Sequence, residues 1–377
     1  VFEQGCFPRF SIGESLLPQS MQFLDEAGLL VPVQAAGFQV KDGAAFQCGA
    51  KAQSLSFSEK SADGWSSTFE VTRADFDEVL ADGAAAAGAE MHFETRVTGF
   101  ASMESGGATL ALLDREGQTH AVSARLVLDA SGFGRSLARM LDLERPSGFP
   151  TRTSLFRHVA DHIDDADLDR NKILISIHPE NPSIWYWLIP LANGLGSVGV
   201  VGSDADIASA GDDDEQRFTR LVHESGRMGR LLAGATPVRD VGRLSGYSAA
   251  VSALSGPGWV LLGNAAEFLD PVFSSGVTIA LKSASLASEV AHRQLSGQAV
   301  DWKTEYERPL TGGVETFRAF VESWYAGDLQ RIIMNQPQGP NRLKEMIISI
   351  LAGYVWDDEN LFVQDPKRYL KLVGALC

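Results

Sequence analysis

The run Asp270-Pro271-Val-Phe-Ser274-Ser275-Gly276 has the residue types and spacing of an anion site. Asp-Pro turns the chain, two serines and a glycine follow, and an apolar periodicity from about Gly276 to Gln294 predicts a long helix. Unpaired amides at a helix start, added to the helix dipole, favour an anion. A serine N-cap would use the same residues, so the pattern alone leaves both roles open. Just upstream, Trp259-Val-Leu-Leu-Gly263 predicts a buried strand that ends in small residues, where a ligand can lie against backbone. Asn264 beside it both donates and accepts hydrogen bonds.

Other candidates need context. Gly194-Leu-Gly196-Ser-Val-Gly199 has the spacing of a dinucleotide fingerprint, but strand-like residues precede it and Val200-Val201-Gly202-Ser203 follows. A phosphate cradle must open a helix, so this glycine run predicts a hairpin turn. Glu3, after Val1-Phe2, has the place of the acid that ends the second strand of a βαβ unit and binds ribose. On that expectation the glycine turn lies upstream of Val1, roughly 30 residues of a truncated or incomplete chain. Arg73, near a helix start, is able to bond phosphate or ribityl oxygens, or to serve as an ordinary surface arginine. Trp185 and Trp187, two apart on a predicted strand, share one face. His158 and His162 lack the third ligand and glutamate of a zinc helix, and no nucleophile elbow or P-loop occurs.

These residues must be positioned by the rest of the 377-residue chain, enough for two domains. Apolar residues make up 45% and the net charge is −16, spread along the length, which argues against nucleic acid or an anionic membrane as partner. No apolar run approaches the ~18 residues of a membrane span. Three cysteines, Cys6, Cys48 and Cys377, form neither a disulfide framework nor a metal spacing, which predicts a reducing compartment, the cytoplasm. Helices are predicted near 21–30, over 75–87, near 213–232 and over most of 302–377. Strands are predicted over 38–57, 68–71, 91–97, 107–128, 173–177, 184–190, 196–201 and 259–263. Nucleotide-type βα units at both ends flank a β-rich middle, an α/β, mixed α+β fold that is discontinuous in sequence.

Six blocks in order carry a resemblance. They are Phe7-Pro-Arg-Phe-Ser-Ile12-Gly13-Glu-Ser15-Leu-Leu-Pro18, Phe38-Gln-Val-Lys41-Asp-Gly-Ala-Ala-Phe46 and Val71-Thr-Arg73-Ala-Asp-Phe76-Asp77. Then come Asp129-Ala-Ser-Gly132, Trp185-Tyr-Trp187-Leu-Ile-Pro190 and Gly263-Asn264-Ala-Ala-Glu-Phe-Leu-Asp270-Pro271-Val-Phe273-Ser-Ser275-Gly276-Val277. Together they resemble the flavin-dependent halogenases of the phenol and pyrrole branch, whose wider fold is shared with aromatic hydroxylases and geranylgeranyl reductases. The resemblance implies a discontinuous Rossmann-like FAD-binding domain (residues 1–36, 60–148 and 246–300), an inserted β-rich substrate domain (37–59 and 149–245) and a helical C-terminal region (301–377).

For the cofactor, the resemblance implies FAD contacts from Glu3, from the Ile12, Gly13 and Ser15 loop, and from Arg73, Val97, Asp129 and Gly132. Further contacts fall on Gly263, Asn264, Asp270, Pro271, Gly276 and Val277; the family carries Asp where this chain has Asn264. Chloride or bromide would bind at Ser275 and Gly276. Lys41 stands where family halogenases hold the lysine that delivers electrophilic halogen, a role that suits an ammonium whose pKa falls when desolvated. Trp185 and Trp187 would keep substrate off the flavin. Phe273 replaces the glutamate of tryptophan-acting relatives, which points to a phenol or pyrrole, free or tethered to an acyl carrier. The reduced flavin, FADH2, would come from a separate reductase. A monooxygenase or reductase using NAD(P)H, and a non-catalytic flavoprotein, are the alternatives on the same fold.

Overall fold

A computed structural model describes residues 1–104, 106–164, 166–336, 339 and 341–375 of the chain; Cys377 lies outside them. Its centre is an eight-stranded sheet. Thr236–Pro237, Arg152–Ala160, Leu195–Ser203, Trp185–Pro190, Lys172–Ile177, Gly43–Cys48 and Lys51–Ser56 lie side by side in that order, and Gly242–Ser245 also pairs with Arg152–Ala160. Neighbours are antiparallel except Lys172–Ile177 against Gly43–Cys48, which run parallel. Gln39–Lys41 lies outside this sheet and pairs with Thr68–Glu70 in a separate two-stranded sheet.

Every residue of Trp185–Pro190 is buried, because both faces of the sheet are covered. Phe46, Ile175, Trp185, Trp187 and Ile189 point into the larger core shared with the C-terminal helices. Leu174, Tyr186, Leu188, Val198 and Val200 point the other way, onto Phe218 and Leu221 of the Asp214–Glu224 helix. The predicted turn ends at Gly194, and Gly196 and Gly199 lie within the strand Leu195–Ser203, so the glycine run opens a strand and not a helix.

A second layer holds Val127–Asp129 parallel to Trp259–Leu261, with a meander of Arg96–Ser102, Ala108–Leu113 and Thr119–Ala124 nearby in sequence. Phe2 makes a parallel bridge to His92, so Val1–Glu3 runs beside that region. The 21-residue helix Ser275–Leu295 packs on the Ser20–Glu26 helix and joins the two halves; the Ser20 and Thr278 hydroxyls meet at 2.9 Å.

Two expectations are corrected. The strand predicted over 91–97 is only a bridge at His92; Glu94 takes a left-handed φ of 53° that breaks the extended chain, and the strand starts at Arg96. The helix predicted near 213–232 is two, Asp214–Glu224 and Arg227–Leu231, separated by Gly226 at φ 72°. No helix among the described residues is long and apolar enough to cross a membrane.

Candidate active site

A cavity of about 330 Å³ opens where the sheet, the Arg73–Ala86 helix and the Ser275–Leu295 helix meet. Its walls include Ile12, Gly13, Ser15, Arg73, Gly132, Gly263, Asn264, Pro271, Gly276 and Val277 from the predicted set, drawn from four separate stretches of chain. Trp185 and Trp187 form part of the wall on the sheet side, their ring centroids 5.9 Å apart. Phe268, Tyr247 and Leu244 also line it.

Backbone geometry leaves room along this wall. Gly13 has φ +107°, and a Cβ there would meet Arg73 Nη1 at 2.9 Å. Gly263 has φ +51°, and its Cβ would lie 2.8 Å from Ala280 Cβ, so the strand end and the long helix touch only because glycine stands there. Arg73, itself on the wall, braces the loop: Nη1 donates to the Ile12 carbonyl at 2.9 Å, while Nε and Nη2 grip Asp77 at 2.8 and 3.1 Å.

The turn into the long helix resolves one ambiguity. Ser274 takes a left-handed φ of 57°, and its side chain makes no capping hydrogen bond. The cap that does form is one turn earlier, where Asp270 Oδ1 accepts from Val272 N at 3.0 Å. The first amides of Ser275–Leu295 are thus free of a side-chain cap, and Ser274, Gly276 and Val277 border the cavity. Asp270 is 3% exposed, and burial pushes its carboxyl up to about 6 despite the Val272 amide and the Tyr325 hydroxyl. Ser275 is buried and does not line the cavity.

Several predicted residues take other places. Lys41 is 1% exposed and does not border the cavity; Nζ donates to Ser15 Oγ at 2.7 Å and to the Leu16 carbonyl at 2.8 Å. Ser15 stands between it and the cavity. Burial lowers the Lys41 pKa to about 8, opposed by Glu70, whose own carboxyl burial pushes well up. Both Glu70 oxygens lack a hydrogen-bond partner among the described residues. Asp129 accepts from Ser131 N and Leu137 N, both at 2.8 Å, and so shapes the Gly132 turn from behind the wall. Phe273 packs in the helical core against Trp324, 5.8 Å between centroids. Glu3 accepts from Gly5 N at 2.8 Å, and Val97 lies in the outer meander; neither borders the cavity.

Two groupings escaped the sequence. Glu14, wholly buried at its side chain, bonds His158 of the sheet, 144 residues away. Trp185 Nε1 donates to the Tyr325 hydroxyl at 3.0 Å, and that hydroxyl donates to Asp270 Oδ2 at 2.9 Å. No local signal marks either one, since each partner sits on a different element. No metal-holding group of His, Cys, Asp or Glu occurs among the described residues.

A family model described as tryptophan halogenase matches residues 48–331. The chain is 27% identical to a 1H-pyrrole-2-carbonyl-(peptidyl-carrier protein) chlorinase of Pseudomonas fluorescens, over 98% of this chain and 86% of that one. It is 26% identical to the corresponding brominase of Pseudoalteromonas luteoviolacea, over 95% and 86%. A flavoprotein/dehydrogenase from Cytophaga hutchinsonii superposes with a TM-score of 0.95 at 38% identity, covering 100% of this chain and 91% of that one. The flavin-dependent brominase Bmp2 superposes with a TM-score of 0.84 at 24% identity, over 98% and 91%, a likeness of fold.

Proposed function

Since the chain belongs to the tryptophan halogenase family of flavin-dependent enzymes, we propose that it uses reduced FAD, oxygen and chloride or bromide to halogenate a phenol or pyrrole. The observation that carries this is the cavity itself: glycine-lined on one side, walled by Trp185 and Trp187 on the other, with the uncapped start of Ser275–Leu295 between them. The cradle suits a flat, extended group such as FAD. Gly13 and Gly263 let the loop and the strand end pack closely on Arg73 and Ala280 and so shape the wall, and Asn264 would meet the polar edge of such a group. Bound FAD, reduced by a separate reductase, supplies the reaction with oxygen and the oxidation of halide.

The chain's own residues do the rest. Discontinuous segments 1–36, 60–148 and 246–300 would form a Rossmann-like FAD-binding domain, with the 37–59 and 149–245 sheet as the substrate side and 301–377 as a helical support. Amides at Ser275 and Gly276 hold the halide by their N–H groups and the helix dipole. Trp185 and Trp187 exclude water and keep the aromatic substrate apart from the flavin. Lys41 would deliver the halogen to the substrate ring, and its Nζ donates a hydrogen bond to Ser15 Oγ of the cavity wall. The pyrrole relatives act on carrier-bound substrates, and a tethered pyrrole is one candidate here. The buried, doubly bonded Lys41 favours a second reading, a monooxygenase or reductase acting directly at the flavin with NAD(P)H.

One experiment separates them. The FAD-loaded chain is reduced, mixed with oxygen, and supplied with bromide and a β-diketone trap. Bromination of the trap in proportion to bromide is the expected result. Oxygen consumption indifferent to bromide, with no brominated trap, would overturn the halogenase proposal and leave the direct flavin chemistry.

A further inference from the structure

The turn that precedes the long helix is built on Asp270, whose two oxygens do different work. Oδ1 accepts from Val272 N and closes the short turn Pro271–Phe273. Oδ2 accepts from the Tyr325 hydroxyl at 2.9 Å. The same hydroxyl accepts from Trp185 Nε1 at 3.0 Å, and Trp185 is a wall of the cavity. Tyr325 is clamped by the Arg152 guanidinium, which lies 3.6 Å from its ring centroid. One buried hydroxyl therefore spans from the aromatic wall to the acid under the anion turn.

We propose that Tyr325 is a positioning residue that ties Trp185 to Asp270 and, by holding the charge on Asp270, sets how strongly the adjacent turn binds a halide. The inference rests on the halogenase proposal above. Its physical basis is simple: a carboxylate a few residues from the free amides repels an anion, and the neutral acid does not. The groups that face Asp270 are few. Tyr325 comes from the Arg308–Tyr325 helix, Arg152 from the sheet, and Tyr247 from the segment after Gly242–Ser245. Both tyrosines are pushed well above the ordinary phenol range by burial, so neither ionises near neutrality. Asp270, raised to about 6, is the group among these that changes charge there. Tyr325 stabilises the ionised form by donating to it, and its loss raises the Asp270 pKa further.

The test is bromide binding to the protein loaded with oxidised FAD, followed by flavin absorbance from pH 5 to 8 without turnover. In the native chain bromide should bind more tightly as pH falls through about 6. Tyr325→Phe keeps the ring under Arg152 and removes only the hydroxyl; its inflection should move up by about one pH unit. Asp270→Asn, should Tyr325→Phe fold poorly, should make binding independent of pH across this range. An unshifted inflection in Tyr325→Phe, or a surviving one in Asp270→Asn, overturns the role of Tyr325. Absence of any bromide response in the native chain at every pH overturns the halogenase proposal as well, which keeps the two failures distinct.

Discussion

Replacing Lys41 with methionine removes the ammonium and keeps a chain of similar length. Burial holds the native pKa at about 8 against 10.5 for a free lysine. Below pH 8 both folded and unfolded chains carry the proton, and the folded state bears the whole cost of a buried ammonium. Between about 8 and 10.5 the unfolded chain binds more protons than the folded one, so stability rises with pH across that window. At 1.36 kcal/mol per pH unit, the gain from Lys41 is roughly 3 kcal/mol. Lys41→Met lacks this gain. It also leaves Ser15 Oγ and the Leu16 carbonyl without their donor, a cost of about 1–3 kcal/mol that does not vary with pH. Urea unfolding at several values between pH 7 and 10.5 checks this, because the tyrosine and cysteine ionisations common to both chains cancel in the comparison. The native chain should gain roughly 3 kcal/mol on the variant across the series. Parallel stability curves would refute the buried-ammonium description. Assayed alongside, Lys41→Met should retain FAD and lose halogenation of an aromatic substrate.

Gly263→Ala places a Cβ 2.8 Å from Ala280 in a left-handed backbone, and should cost about 2–4 kcal/mol of stability with loss of FAD retention on gel filtration. Arg73→Ala removes the brace on the Ile12 and Gly13 carbonyls; FAD affinity by fluorescence titration should fall about tenfold, the value of one or two hydrogen bonds. Asp129→Ala leaves the Ser131 and Leu137 amides unpaired and should lower stability by about 2–3 kcal/mol in thermal or urea unfolding.

Some of the site is written locally and some is not. The glycine run at 194–199 shows itself not to be a phosphate cradle because apolar strand residues flank it on both sides, and in the structure a turn at 192–194 leads into a strand that carries Gly196 and Gly199. The strands at 172–177 and 185–190 show as short apolar runs bounded by polar and proline residues, a signal that needs no knowledge of partners. The Ser275–Leu295 helix announces its start through Pro271, two serines and a glycine. Period, propensity and turn chemistry act over a few residues, so sequence carries them whole.

Tertiary structure alone decided where the charges went. Lys41 is a strand lysine, and nothing within several residues shows that Ser15 and Leu16, about 25 positions back, accept its hydrogen bonds or that Glu70 faces it in the interior. Asp270 lies 55 residues from Tyr325, and Tyr325 lies 140 from Trp185. Glu94 in a left-handed turn and the helix break at Gly226 escaped as well, because local pattern tolerates either residue in the predicted element. Local interactions choose an element's type. Burial, charge state and the pairing of polar groups come from elements far apart in sequence closing over the same low-dielectric space, and that is settled only when the chain folds.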